Sequence, residues 1–227
     1  MTELPKRQRN KQAKEKRILE AALKIFADLG YSGATMDAIA EAANLSKPTL
    51  YQYFESKEIL FTAMMAAKKG DMLVAFEHPR AEALVKQLHS FAWEYADTIM
   101  RRDLLSLARL IIGEAQRFPS VGRAYQASGP DQVLKGIIAY LETQRSMGRL
   151  EFCDSELAAQ DLWGLILSGP RNQALHQPDA LPDRATLERY INNGLMVFLK
   201  AYSTDVARDL SKLATIIEKQ ETLETRN

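Results

Sequence analysis

Lys47, Thr49, Tyr51, Gln52 and Tyr53 place an ammonium, an aliphatic hydroxyl, two phenols and an amide within seven residues. This set holds no carboxylate, thiol or imidazole, so it does not suit proton transfer or nucleophilic attack. It suits recognition, because each group can donate a hydrogen bond to a phosphate oxygen or a base edge. The elements that must position these groups lie in TMDAIAEAANLSKPTLYQYF, residues 35–54. Thr35 can cap a first helix on which Met36, Ile39, Ala40 and Ala43 share one face. Asn44 and Leu45 break that pattern. Ser46 caps a second helix, and Pro48 falls in its first turn, where a missing N–H costs nothing. Leu50 and Phe54 point inward and leave the five polar residues to a partner. This is a helix-turn-helix, whose second helix enters the major groove of DNA.

The flanks extend the unit. Ile18, Ala22, Ile25, Phe26 and Leu29 recur at i, i+4, i+7, i+8 and i+11, an amphipathic helix closed by Gly30. Ser56 opens a further helix expected to run as a linker to about Phe76. The spacing predicts three domains: a basic arm over 1–10, a helix-turn-helix unit over 11–67 and a larger helical domain over 68–227.

The run ILEAALKIFADLGYSGATMDAIAEAANLSKPTLYQYFESKEILF, residues 18–61, resembles the N-terminal domain of the TetR/AcrR family of bacterial transcriptional regulators. Phe26, Gly30, Thr35, Ala40, Ala43, Leu50, Tyr51, Tyr53, Phe54, Lys57, Glu58 and Leu60 match its pattern without a gap. The segment from Leu104 to Leu167 is similar to the AefR-type ligand domain. The resemblance implies that Lys47, Thr49 and Gln52 face base edges, while Thr35, Tyr51, Tyr53 and Lys57 hold phosphates; Met36, Asp37 and Pro48 complete the surface. Asp37 favours the helix dipole but repels a nearby phosphate, and it can accept from a cytosine amine.

The net charge of +1 does not mark a nucleic-acid binder, but its distribution does. Between Met1 and Arg17 stand seven basic residues against Glu3 and Glu15, a net of +5, which leaves −4 for the rest of the chain. A basic arm entering the first helix suits phosphate contacts. With 46% hydrophobic and 26% charged residues, the composition is that of a soluble globular protein. No apolar run approaches the roughly 18 residues of a membrane span, and the polar N-terminus predicts no signal peptide. One cysteine, Cys153, fits a reducing cytoplasm.

Beyond residue 70 the punctuation predicts helices at about 80–100, 102–117, 120–147 (broken near Gly129), 155–176, 183–203 and 205–220, so the fold class is all-α. Leu162, Leu165 and Ile166, then Leu187, Ile191, Leu195, Phe198 and Tyr202, form apolar stripes on two helices. Ordinary core accounts for such stripes, but the resemblance implies that these two helices pair with those of a second chain in a homodimer. It also implies a cavity for a small, largely apolar effector, for which His89, Trp93, Met100, Leu107, Ile111, Phe118, Tyr125, Tyr140 and Trp163 are candidate lining residues; core is the alternative for each. His78, His89 and His176 have no metal-ligand spacing with Cys153, and no phosphate loop or nucleophile motif occurs. No cofactor, metal or enzymatic activity is expected. The favoured function is a homodimeric repressor released from a palindromic operator by an effector. The alternatives are a DNA-binding protein of the same fold without a ligand, and a helical protein-interaction adaptor.

Overall fold

The computed structural model describes residues 6–68, 73 and 76–224, which fold as two units. The first joins residues up to Lys69 with Arg101–Pro130; the second joins Gly70–Met100 with the chain from Asp131 onward. The expected boundaries lay after residues 10 and 67. The chain instead crosses between units at three points, because the helices after residue 101 bury their apolar faces on the N-terminal helices.

In the first unit α1 spans Lys6–Gly33, α2 Met36–Ala42, α3 Lys47–Tyr53 and α4 Lys57–Lys68; α6 (Arg102–Glu114) and α7 (Pro119–Ser128) pack with them. Residues 6–10 of the expected arm are thus the first turns of α1, and residues 1–5 lie outside those described. Gly30 interrupts α1 at φ 80°, a left-handed conformation that glycine adopts without strain. Ile18, Ala22, Phe26, Ile39, Leu50, Leu60, Phe61 and Met64 are buried together with Leu107, Ile111 and Val121. Leu29, expected on the inner face of α1, is 53% exposed. Phe26 stacks on Tyr31 at 5.7 Å between ring centres and meets Phe61 edge-on at 5.3 Å, which fixes α1 against α4. The linker helix expected to reach Phe76 ends at Lys68; Leu73 lies in a bend, and residues 69–72 and 74–75 lie outside those described.

In the second unit α5 spans Leu84–Ile99, α8 Pro130–Ser146, α9 Ser155–His176, α10 Arg184–Tyr202 and α11 Val206–Glu224. These bounds follow the predicted helices closely. Leu88, Phe91, Ile137, Tyr140, Leu162, Ile166, Ile191, Leu195, Phe198 and Leu213 form the core. Gly194 lets α10 rest directly on α9, since a Cβ there would stand 2.6 Å from the Leu165 carbonyl oxygen. Among the described residues there is no β-strand, only an isolated bridge between Leu150 and Ser203. None of the described helices is long and apolar enough to cross a membrane.

Candidate nucleic-acid interface

Local chemistry builds the helix-turn-helix. The Thr35 hydroxyl accepts from the Ala38 N–H at 3.1 Å and starts α2. Asn44 then turns the chain at φ 52°, a conformation that Asn tolerates better than most residues. The Ser46 hydroxyl accepts from the Thr49 N–H at 3.4 Å and starts α3, with Pro48 in its first turn. Leu50 and Phe54 are buried, as the spacing predicts. They anchor α3 so that Lys47, Pro48, Tyr51 and Gln52 face outward. Thr49 and Tyr53 are half-buried, and the Thr49 hydroxyl is bonded to that of Ser46 at 2.8 Å. Lys11, Lys14, Lys16 and Arg17 are exposed on the first turns of α1, and Arg17 reaches the Asn44 carbonyl oxygen at 3.5 Å.

Two residues of the expected surface stand elsewhere. Met36 is buried in the core of the first unit, because the first turn of α2 directs position 36 inward with Ile39 and Ala40. It is not available to a partner. Lys57 donates from Nζ to the Tyr31 carbonyl oxygen at 2.7 Å and to that of Ala34 at 3.0 Å, above the Tyr31 ring. It thus ties the start of α4 to the end of α1, and at most one of its three N–H donors remains for a phosphate. Lys57→Ala should lower stability by about 1.5–3 kcal/mol through loss of these charged hydrogen bonds. Thermal denaturation checks this, and an unchanged melting temperature would count against the tie.

One contact was invisible in the sequence. Asp37 and Lys47 are ten residues apart, yet the turn brings them together at 2.8 Å, with Nζ also 2.9 Å from the second carboxylate oxygen. This hydrogen bond, with the charge of Asp37, raises the Lys47 pKa above its ordinary value. Both side chains remain more than half exposed. They flank an open groove between α2 and α3 lined also by Ala40, Glu41, Asn44, Leu45 and Ser46.

The remaining candidates divide. Leu107 and Ile111 belong to the core of the first unit, with Phe118 and Tyr125 partly buried against it; Trp93 and Tyr140 belong to that of the second, with Met100 and Trp163 partly buried against it, and His89 is a buried polar residue of α5. The nine expected pocket residues are thus divided between the two units. Helical faces of this composition mark burial, and two cores supply it. The expected dimer stripe is also corrected. Leu162, Ile166, Leu187, Ile191, Leu195 and Phe198 are buried within the second unit of a single chain, and Leu165 and Tyr202 are partly so. The exposed apolar side chains of α9 and α10 lie on other faces: Leu157 at 62%, Val197 at 38% and Tyr190 at 37% exposure. Among the described residues no group of His, Cys, Asp and Glu could hold a metal ion.

Comparison with known proteins agrees with this architecture. Residues 18–64 match the model of bacterial regulatory proteins of the tetR family, and residues 86–204 match the C-terminal domain of AefR-like transcriptional repressors. The flavonoid-responsive regulator FrrA is 33% identical, covering 85% of this chain and 98% of its own, with a TM-score of 0.68. A TetR transcriptional regulator from Agrobacterium tumefaciens is 27% identical over 86% of this chain and 98% of its own, with a TM-score of 0.71. The regulator RutR of Escherichia coli K12 is 47% identical over 60 residues, which are 26% of this chain and 28% of RutR. These relatives are transcriptional regulators and not enzymes. A capped helix-turn-helix with an outward polar face, joined to an AefR-like helical domain, identifies the chain as a DNA-binding transcriptional regulator of the TetR family.

Proposed function

We propose that the protein is a homodimeric repressor that leaves a palindromic operator when a small molecule binds its second unit. The observation that carries the DNA reading is the anchoring of α3: Leu50 is wholly buried while Lys47, Tyr51 and Gln52 face outward. In this reading Lys47 and Gln52 address base edges, with Thr49 at their margin. Thr35, Tyr51 and Tyr53 hold phosphates with the exposed lysines of α1, and Lys57 contributes one remaining donor. One short helix contacts too few base pairs for specificity, so two copies bind half-sites about one helical turn apart, roughly 34–36 Å. The protein works in the cytoplasm, where the chromosome is. A footprint on the DNA flanking its own gene tests the reading, and no protected palindrome there or in a genomic selection would remove it.

The dimer face proposed here is the outer surface of α9 and α10. Leu157, Asp161, Gly164 and Ser168 recur at i, i+4, i+7 and i+11 on α9; Tyr190, Asn193 and Val197 recur at i, i+3 and i+7 on α10. All are exposed except Gly164, which is half-buried but has open space beyond its Cα.

For the effector, the second unit offers buried polar atoms without a hydrogen-bond partner in the chain, Trp93 Nε1 on α5 and Asn192 Oδ1 on α10, together with the side chains of His89 on α5 and Gln220 on α11, which face each other. Burial lowers the His89 pKa against the opposing effect of its hydrogen bond with Gln220, and so favours the neutral imidazole. A neutral, largely apolar molecule with a few hydroxyl or carbonyl groups suits such surroundings. FrrA, the relative at 33% identity, is described as flavonoid-responsive, which supports the same ligand class. A thermal-shift screen of neutral hydroxylated aromatics should find a stabiliser that loses affinity when operator DNA is present, because linkage is reciprocal. If no compound moves either melting or operator affinity, the ligand-free alternative takes its place.

Gln52 is exposed at the outer end of α3, and its amide can pair bidentately with adenine. Gln52→Ala should relax preference at one base pair per half-site by about tenfold and leave affinity for random DNA nearly unchanged. Competition binding with single-base operator variants measures this.

A further inference from the structure

The Asp37–Lys47 ion pair is out of place on a surface that meets phosphates. A carboxylate 62% exposed there costs binding to every DNA sequence, because it repels the backbone. Its local structural return is small: an exposed ion pair contributes little to folding, and α2 already has Thr35 as its cap. Three observations fix its geometry. Lys47 is the first residue of α3 and Asp37 the second of α2, so the pair spans the two helices of the motif. Both carboxylate oxygens meet one ammonium, at 2.8 and 2.9 Å. The pair stands at the rim of the groove between α2 and α3.

An acceptor and a donor held this close match what a base pair displays. In the major groove a G·C pair presents the guanine O6 and N7 acceptors beside the cytosine N4 amine. Lys answers the first and Asp the second. We infer that Asp37 and Lys47 act as one reading element for a G·C pair in each half-site, Lys47 donating to guanine and Asp37 accepting from cytosine. Asp37 orients Lys47 before DNA arrives, and the cytosine amine offsets the carboxylate's repulsion only on the right sequence. The pair therefore raises specificity by lowering affinity for all other DNA. This rests on the proposed docking of α3 in the major groove.

The test is in vitro selection from a random duplex library with the full-length protein, followed by binding to the selected operator and to random DNA. Failure of the wild type to enrich any motif would remove the DNA-docking reading itself. With a motif in hand, each half-site should carry an invariant G·C pair. Asp37→Ala should bind random DNA several-fold more tightly, since a repelling charge is gone, and should lose about tenfold of its discrimination at that pair. Asp37→Asn should move the preference at that pair toward A·T, because an amide pairs with adenine. Misfolding cannot produce a changed preference. If Asp37→Ala binds all sequences more tightly with its motif unaltered, Asp37 only stores Lys47 in the free protein and the inference is overturned. A motif without a fixed G·C pair overturns it as well.

Discussion

Asp209→Ala should destabilise the second unit by about 3–5 kcal/mol, the usual result of leaving a buried charge without its partner. Asp209 is fully buried near the start of α11 and accepts from Arg149 at 2.8 and 2.9 Å, from the Ser203 hydroxyl at 2.7 Å and from Arg208 Nε at 3.1 Å. It thereby joins the turn after α8, the end of α10 and the first turn of α11. Gly148, at φ 68°, makes that turn, and the Thr204 hydroxyl closes it on the Gly148 carbonyl oxygen at 2.8 Å. Burial by itself raises the Asp209 pKa, but the hydrogen bonds from Ser203 and Arg208 and the charge of Arg149 outweigh it and hold the pKa below its ordinary value. The sign follows. A depressed carboxylate contributes stability that is fully present at neutral pH, above the unfolded value near 3.9, and is lost as pH falls through the folded value. Asp209→Ala should lower the melting temperature by roughly 10 °C at pH 7. Its stability should also fall less steeply than that of the wild type below about pH 4. Replacing Arg149 and Asp209 together with leucine should be less harmful than the two single changes summed, because no unpaired charge remains. An additive double-mutant cycle by thermal melts would show that the two side chains do not act as a pair.

The contrast between what was legible and what was not has a physical cause. Thr35, Ser46, Pro48 and Asn44 act on backbone within three residues, so their types alone placed α2, the turn and α3. Helix bounds from α5 to α11 were legible for the same reason, since Pro, Gly and polar clusters interrupt local hydrogen bonding. The apolar stripe of α10 was legible as a stripe but not as to what covers it. Periodicity at i, i+4 reports that a face is dry, and burial by α5, α9 and α11 of the same chain gives the same pattern as burial by a second copy. Leu195 and Phe198 were assigned to the wrong partner for that reason. The pocket candidates were likewise legible only as buried: Ile111 and Tyr140 look alike in sequence, yet α6 serves one core and α8 the other. The Asp37–Lys47 pair needed the turn to close before ten residues of separation became 2.8 Å. Lys57 matches its family position, but the sequence could not show that two backbone carbonyls already hold its ammonium.

The correction to the stripe changes how the dimer must be tested. Phe198→Asp would place a charge in the core of the second unit, where Phe198 is fully buried, and would unfold the chain whatever its oligomeric state. Gly164→Arg separates folding from assembly. A Cβ at Gly164 meets no atom within 4 Å, so the chain can accept the side chain, and replacing glycine inside a helix favours the helical state. The guanidinium then projects from the outer face of α9, beside Leu157, Asp161 and Ser168. In the proposed dimer this face lies against its own copy, and two such groups meet across a twofold axis with like charge and too much volume. Gly164→Arg should therefore be a folded monomer by sedimentation, with a helical far-ultraviolet spectrum like that of the wild type. Val197→Glu, on the outer face of α10, should behave alike. Operator affinity should fall much further than one contact explains. In a dimer the second head binds at the effective concentration set by the first, an advantage of about 10²–10⁴ that a monomer forfeits. Binding to a single half-site should change little, because the surface of α3 is untouched. If both variants sediment as dimers and hold the operator like the wild type, the outer face of α9 and α10 is not the interface. If they are monomers that hold it equally well, two-fold reading of a palindrome is wrong.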